Sequence, residues 1–345
     1  MNNWINDRVS LISKILTKGL WNSNATILMY HRVADLKYDP WLVGVSPENF
    51  EEQVQVMREY PVISMQQFVN NLKEGKLSRS VVITFDDGYK DNFYNAVPVL
   101  AKAGLPATFF IASGYTGRQK QFWANDLDSI FLTPGPLPER LEINTKQIQF
   151  SYDLGEENFI SKDPIKQFQN WIAWESSPTK RQSLYVEVAR LIKSLPPEQE
   201  EELLEILYQW SGKKKMIDPA NLMMNENELK GLATDGLFEI GGHTVSHPEL
   251  SAFPSNIQLE EIRENVHFLE TVINRPIQGM AYPYGAYNKE TIQAVKMAGL
   301  QYACTTQQKP TYKNESLYTL PRLRVRNWNG AAFKKRIELR LKLGV

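Results

Sequence analysis

The segment "SVVITFDDGYKDNFYNAVPVLAKAGLPATFFIAS", residues Ser80 to Ser113, sets two short apolar runs on either side of a helical stretch. "SVVITF" and "PATFFIAS" are rich in β-branched and aromatic residues, which suits strands buried on both faces. "NFYNAVPVLAKAG" between them is long enough to cross from the end of one strand to the start of a parallel neighbour. The first run stops abruptly at two adjacent carboxylates, Asp86 and Asp87, followed by Gly88.

The same grammar extends outward. Upstream, "ATILMYH" reads as a strand. It is followed by a helix in "VSPENFEEQVQVMREY", with Ser46 as N-cap, Pro47 at the first helical position and a stripe of Phe50, Val54 and Met57. A second helix, "SMQQFVNNLKEGK", starts at a Ser64 cap and stops at Gly75. Downstream, "LFEIG", "IQGMAYP", "QYACTT" and "LPRLRV" supply later strands, separated by helices in "LEEIRENVHFLETVIN" and "KETIQAVKMAG". About seven or eight strands in all favour an α/β barrel over a small open sheet.

Between about 133 and 225 the alternation breaks. "LEINTKQIQFSYDL" reads as a hairpin, and "PIKQFQNWIAWES", "KRQSLYVEVARLIKSL" and "PEQEEELLEILYQW" as three successive helices. This is a mostly helical insertion on a barrel that runs from 25 to 345. Its Trp171, Trp174 and Trp210 are expected to pack between helices, the alternative being a surface for stacking carbohydrate.

The 345 residues carry 39 Lys plus Arg and 39 Asp plus Glu, so no overall positive field exists to draw a phosphate backbone, and no nucleic-acid partner is expected. Cys304 is the single cysteine, which excludes an internal disulfide, and "YACTT" places it as a small buried strand residue. Residues 1–24 read as an amphipathic helix, with Ile5, Val9, Ile12, Leu16 and Leu20 on one stripe and Arg8, Lys14 and Lys18 largely off it. That helix is expected to pack on the domain, with peripheral contact to an anionic membrane as the alternative. No apolar stretch of signal-peptide or membrane-span length is seen, and a cytoplasmic location, peripheral at the inner membrane if the helix binds lipid, is the expectation.

Residues that do chemistry in parallel α/β barrels project from the C-terminal ends of strands. Four candidate strands end this way: at His31, at Asp86 and Asp87, at His243 and His247, and at Pro283, Tyr284 and Gly285. The two histidines, four apart after a strand, together with a carboxylate, make a common ligand set for zinc or a similar divalent ion. Adjacent aspartates on one strand point to opposite faces, but a turn at the following glycine lets both approach one site. One can then ligate a cation while the other takes a proton; alternatively, the Asp-Asp-Gly turn merely caps a helix.

"TFDDG" (Thr84 to Gly88), "HTVSHP" (His243 to Pro248) and "YPYG" (Tyr282 to Gly285), in that order, resemble the motifs of the polysaccharide deacetylases, the NodB-homology group or carbohydrate esterase family 4. "ILMYHRV", "VSPENFEEQ" and "PATFFIASGYTG" extend the resemblance over most of the chain outside the insertion. It implies a distorted (β/α)7-type barrel with a divalent metal ion, usually Zn2+, at its mouth. By the resemblance, Asp86 is the general base, Asp87, His243 and His247 hold the metal, and the backbone N–H of Tyr284 stabilises an oxyanion. The implied reaction removes the acetyl group from an N-acetylated sugar in a polysaccharide, oligosaccharide or lipid-linked precursor. An O-acetyl esterase, a deformylase and a non-catalytic carbohydrate-binding protein are the alternatives.

Two positions depart from the pattern. Many members orient the base with an arginine two residues before the motif proline; here that residue is Ala281, and Arg322 or Arg324 is the candidate replacement. The family's C-terminal histidine acid is also missing, since no histidine follows His267, which lies off its helix's apolar stripe and is expected to face solvent. His31 is left as the candidate acid.

Overall fold

The structure, a computed structural model, describes residues 25–161, 168 and 171–343; the amphipathic helix expected over 1–24 lies outside them. Strands β1 (Ala25–Tyr30), β2 (Ser80–Phe85) and β3 (Ala107–Ile111) form in the runs expected of them. Helices α1 (Pro47–Met57) and α2 (Met65–Lys73) separate the first two strands. Ser46 and Ser64 cap them, their hydroxyls accepting the N–H of Asn49 and of Gln67. Between β2 and β3, Asn92–Ala96 winds as a π-helical turn before α3 (Val97–Ala103), whose first turn holds Pro98, and Gly104 ends α3 at φ +66°. A proline ring has no N–H to give the preceding turn, a common origin of such bulges.

The insertion follows: α4 (Trp123–Leu127), the hairpin β4 (Arg140–Asn144) and β5 (Gln149–Asp153), then α5 (Lys180–Ile192) and α6 (Pro197–Ser211). The barrel resumes with α7 (Glu226–Thr234), β6 (Phe238–Gly242), α8 (Ser255–Ile273), β7 (Gly279–Ala281), α9 (Lys289–Met297), β8 (Tyr302–Cys304), β9 (Leu323–Arg324) and α10 (Gly330–Leu343).

Seven strands form one sheet in the order β8-β7-β6-β3-β2-β1-β9, every pair parallel. The sheet curls until its two ends approach. The chain entering β9 bridges the gap, with Thr305 N–H donating to Leu320 O at 2.8 Å and Arg322 N–H to Gln307 O at 3.0 Å. This is the distorted seven-stranded barrel.

Alternation along the strands divides the core. Leu28, Tyr30, Ile83, Phe85 and Phe109 face the surrounding helices, with Phe85 stacked on Phe109 at 4.8 Å and on Tyr30 at 5.1 Å. Ile27, Val82, Phe110, Tyr302 and Cys304 point the other way and pack with Met65, Phe68 and Val69 of α2. Cys304 is fully buried in β8, and His267 is exposed.

The insertion has a separate apolar core, running from Trp123 and Leu127, before Thr133, to Leu207 and Tyr208. Arg181, 1% exposed, donates only to backbone carbonyls, those of Ile130, Phe131, Thr133, Gly135 and Asn158. It ties the loop after α4 to the turn at Asn158. The helix expected in "PIKQFQNWIAWES" lies mostly outside the described residues, and its end is not helical: Ala173–Glu175 form a turn. The three tryptophans do not share a surface. Trp171 is buried among Phe168 and Tyr185, Trp210 donates to the Arg140 carbonyl at 2.7 Å, and only Trp174 is exposed.

Burial without compensation gives this unit a pH dependence. Glu200, in the first turn of α6, is 6% exposed; its Oε1 has no hydrogen-bond partner and lies 3.9 Å from Lys120 Nζ. Burial pushes its carboxyl up to about 7. Between an unfolded value near 4.3 and that value, the unfolded chain releases a proton that the folded one keeps, so stability falls as pH rises across this window. Glu200→Gln is expected to flatten the slope and add about 2 kcal/mol at pH 8, as read by urea unfolding at pH 5 and pH 8.

Candidate active site

β2 ends at Phe85, and its inward alternation of Val82 and Thr84 carries on to Asp86, whose N–H still donates to Tyr30 O at 2.9 Å as the next rung of the ladder. By the same alternation Asp87 would follow Phe85 outward under the helices. A tight turn prevents this. Gly88 N–H donates to Asp86 O at 2.9 Å, and Asp87 takes φ +73°, a strained conformation for a residue with a Cβ. The turn swings the Asp87 carboxylate to the barrel mouth.

There it meets the histidines. His243 Nε2 and His247 Nε2 each lie 3.4 Å from Asp87 Oδ1, and the ligand atoms of the three residues fall within 4.8 Å of one another. Two ligands of one tetrahedral ion with bonds of about 2.0–2.1 Å are roughly 3.3–3.4 Å apart, so the donor set fits a zinc-like ion. Ring orientation agrees. His243 Nδ1 lies 2.8 Å from the Ala281 carbonyl, which can only accept, so Nδ1 carries the proton and Nε2 keeps its lone pair. His247 Nδ1 lies 3.2 Å from the Tyr284 hydroxyl, which also accepts from Trp123 Nε1 at 3.2 Å. Burial opposes the Asp87 charge, but the two histidines beside it hold its carboxyl well below the usual range.

The loop that carries the histidines is held from α8. Asn265, buried, accepts the His243 N–H through Oδ1, and its Nδ2 faces the carbonyls of Ile111 and Thr244. One turn earlier, Glu261 accepts from the N–H groups of Val245 and Ser246 and from the Ser246 hydroxyl. The strained conformations of Thr244 (φ +64°) and His247 (φ +61°) depend on these contacts. Asn265→Ala is expected to weaken divalent-metal affinity by about 10–100-fold with little loss of helix content, measured by metal titration and circular dichroism.

Asp86 is paired with Arg322, whose Nη1 and Nη2 donate to Oδ1 and Oδ2 at 2.6 and 2.7 Å. Arg322 is wholly buried; its Nε donates to Thr305 O at 2.9 Å and Nη1 also to Thr84 Oγ1 at 3.2 Å. Burial acts to raise the Asp86 pKa, yet the guanidinium, with His243 and His31 beside it, holds the carboxyl below its ordinary value. Arg324, the other candidate, is turned away: its Nη1 donates to Trp41 O at 3.3 Å and its guanidinium lies over Trp174.

His31, at the end of β1, borders the same cleft, and burial lowers its pKa. Asn92 holds its carbonyl by a hydrogen bond of 2.8 Å. Tyr284 sits at φ +57° with its ring 4.7 Å from that of His247, so it contributes a side chain as well as the backbone N–H considered from sequence. The cleft, about 610 Å³, is walled beyond the ligands by Trp41, Trp123 and Trp174.

Comparisons with known proteins point to one family. The family model for polysaccharide deacetylase matches residues 73–132 and 206–303; the unmatched break falls within the insertion. A putative polysaccharide deacetylase, YxkH, of Bacillus subtilis is 29% identical over 33% of this chain and 41% of its own length. Poly-beta-1,6-N-acetyl-D-glucosamine N-deacetylase of Staphylococcus aureus is 22% identical over 81% of this chain and 67% of its own. Among solved structures, the Streptococcus pyogenes deacetylase PplD superposes with a TM-score of 0.56 at 17% identity, covering 92% of this chain and 99% of that one. IcaB from Ammonifex degensii gives 0.55 at 15% identity, covering 91% and 96%. The likeness to these structures extends to the barrel fold, and the family model and the relatives show that the chain is similar to the polysaccharide deacetylases.

Proposed function

We propose that this protein is a metal-dependent hydrolase that removes the acetyl group from an N-acetylated sugar of a glycan, whether polymer, oligosaccharide or lipid-linked precursor. The observation that carries the reading is the division of labour at the strand end: Asp87 converges with two histidines while Asp86, next to it, is held by an arginine. A non-catalytic binding protein has no use for that second, separately oriented carboxylate.

Asp87, His243 and His247 would hold the ion, which when bound supplies Lewis-acid activation of water and of the acetamide carbonyl. Asp86 is ionised at neutral pH, and each of its oxygens keeps a lone pair beyond the one that meets Arg322, so it can take the proton of the attacking water. The backbone N–H of Tyr284 is the donor assigned to the developing oxyanion. As the C–N bond breaks, acetate departs and the amine needs a proton; His31, which lines the same cleft, is the residue assigned to give it. The relatives' names, which specify a poly-N-acetylglucosamine N-deacetylase, support an acetylated glycan as substrate.

Acetate release from N-acetylated oligosaccharides, with O-acetylated ones alongside, tests this. Activity is expected to disappear on chelation and return with Zn2+, and His31→Ala is expected to lower kcat by about 10²-fold. Metal-loaded protein that releases acetate from neither class would leave the non-catalytic reading; release only from esters would change the bond.

A further inference from the structure

Of the cations bordering the cleft that the proposed hydrolysis does not use, Arg32 is paired with Asp91 and Lys37 lies over Tyr38, and two others face indole rings. Lys193, just after α5, has its Nζ 4.6 Å from the centre of the Trp41 ring and 5.0 Å from that of Tyr284. Arg324, the last residue of β9, lies 5.1 Å over the Trp174 ring, and its buried Nε has no hydrogen-bond partner. The two indoles stand beside each other, with ring centres 6.3 Å apart.

Neither cation meets a carboxylate in contact among the described residues. The acidic groups that act on them are engaged elsewhere or stand off. Asp39 accepts the N–H groups of Val43 and Gly44, Asp86 is taken by Arg322, and Glu249 supports the Lys193 charge from beyond contact distance. Arg324 instead disfavours the Lys193 charge, and Arg326 and Arg322 disfavour that of Arg324. Two like charges converging on one space, over two indole faces, raise the local potential for an anion and leave flat apolar surface for a sugar ring.

We propose that Lys193, Arg324, Trp41 and Trp174 form a subsite for an anionic substituent, phosphate or carboxylate, of the acetylated glycan. This rests on the deacetylase reading for its place along the substrate. The insertion thereby takes part in substrate choice, because Lys193 and Trp174 come from it and Trp41 and Arg324 from the barrel, and charge preference arises only where the two meet.

Isothermal titration of the full-length, metal-loaded protein at low salt tests it, with N-acetylglucosamine, N-acetylglucosamine 1-phosphate and N-acetylmuramic acid as probes. At least one charged sugar is expected to bind about tenfold or more tighter than the neutral one; which one does so distinguishes a phosphorylated glycan from an acidic sugar. Lys193→Gln with Arg324→Gln is expected to reduce the preference to less than twofold, and Lys193→Arg alone to retain it. Equal binding of all three sugars by the wild type overturns the proposal. So does a preference that survives the double substitution, since the anion then sits at the metal ligands. The readout needs no turnover: a protein with the preference but without acetate release would sink the deacetylase reading and leave the subsite standing, and the reverse would do the opposite.

Discussion

Asn in place of Asp86 is expected to lower kcat for acetate release by about 10³-fold while the protein still takes up one divalent ion per chain. The proposed metal ligands are the side chains of Asp87, His243 and His247, none of which hydrogen-bonds to the Asp86 carboxylate, so loss of the base and loss of the ion are separable. The same substitution carries a second signature. Asn removes the charge that offsets Arg322, which is wholly buried, and an uncompensated buried guanidinium costs about 3–5 kcal/mol. Activity and unfolding should therefore be measured on the same preparation. A drop in activity with metal content lost would move Asp86 from base to ligand; wild-type turnover would remove it from the mechanism.

Arg322→Met is expected to act in the complementary direction. Its stability loss is of similar size, about 3–5 kcal/mol, because Asp86 is then the unpaired buried charge. Its pH profile should differ in a way that a purely structural role would not produce. In the wild type, burial raises the Asp86 pKa and Arg322, together with His243 and His31, brings it below the ordinary carboxylate value. The stability the pair contributes is thus present above the unfolded value near 4 and lost as pH falls through the folded one. Without Arg322 burial dominates, the carboxyl titrates higher, and the acidic limb of kcat/KM moves to higher pH. Arg322→Lys retains a charge without the two-pronged geometry and should shift that limb less. An acidic limb that stays in place in both variants would show that Arg322 does not set the state of the base.

Much of this was visible in the chain before any coordinates. The runs at "ATILMYH", "SVVITF", "PATFFIAS" and "FEIGG" formed strands where alternation and β-branching placed them, and their ends brought His31, Asp86, Asp87 and His243 to one mouth. What stayed hidden follows from what patterns encode. Arg322 and Arg324, two apart, share a strand face, so periodicity could not choose between them; the choice came from depth, Arg322 lying just before β9, two residues below Arg324, so that its side chain reaches up to Thr84 and Asp86. Asn265 and Glu261 lie beside the apolar stripe of α8, where polar residues ordinarily face water, and only packing shows them turned toward the histidine loop. The Ala281 carbonyl that fixes the His243 tautomer has no side-chain signal at all. Trp171 and Trp174 fall in one expected helix, yet the turn at Ala173–Glu175 puts one in the core and the other at the cleft.

The Asp87 turn has a consequence for how the protein assembles. Asp87 and the two histidines lie on opposite sides of the insertion in sequence, and they meet only when β2, β3 and β6 are in register. Such distant contacts form late, after the slow loop closures that precede them, whereas the insertion's core is made of segments closer together in the chain. A divalent ion would therefore find only the two neighbouring histidines, without Asp87, on a nascent chain. It would bind the closed barrel and hold it closed, so metal supply acts on the lifetime of the finished fold more than on the search for it.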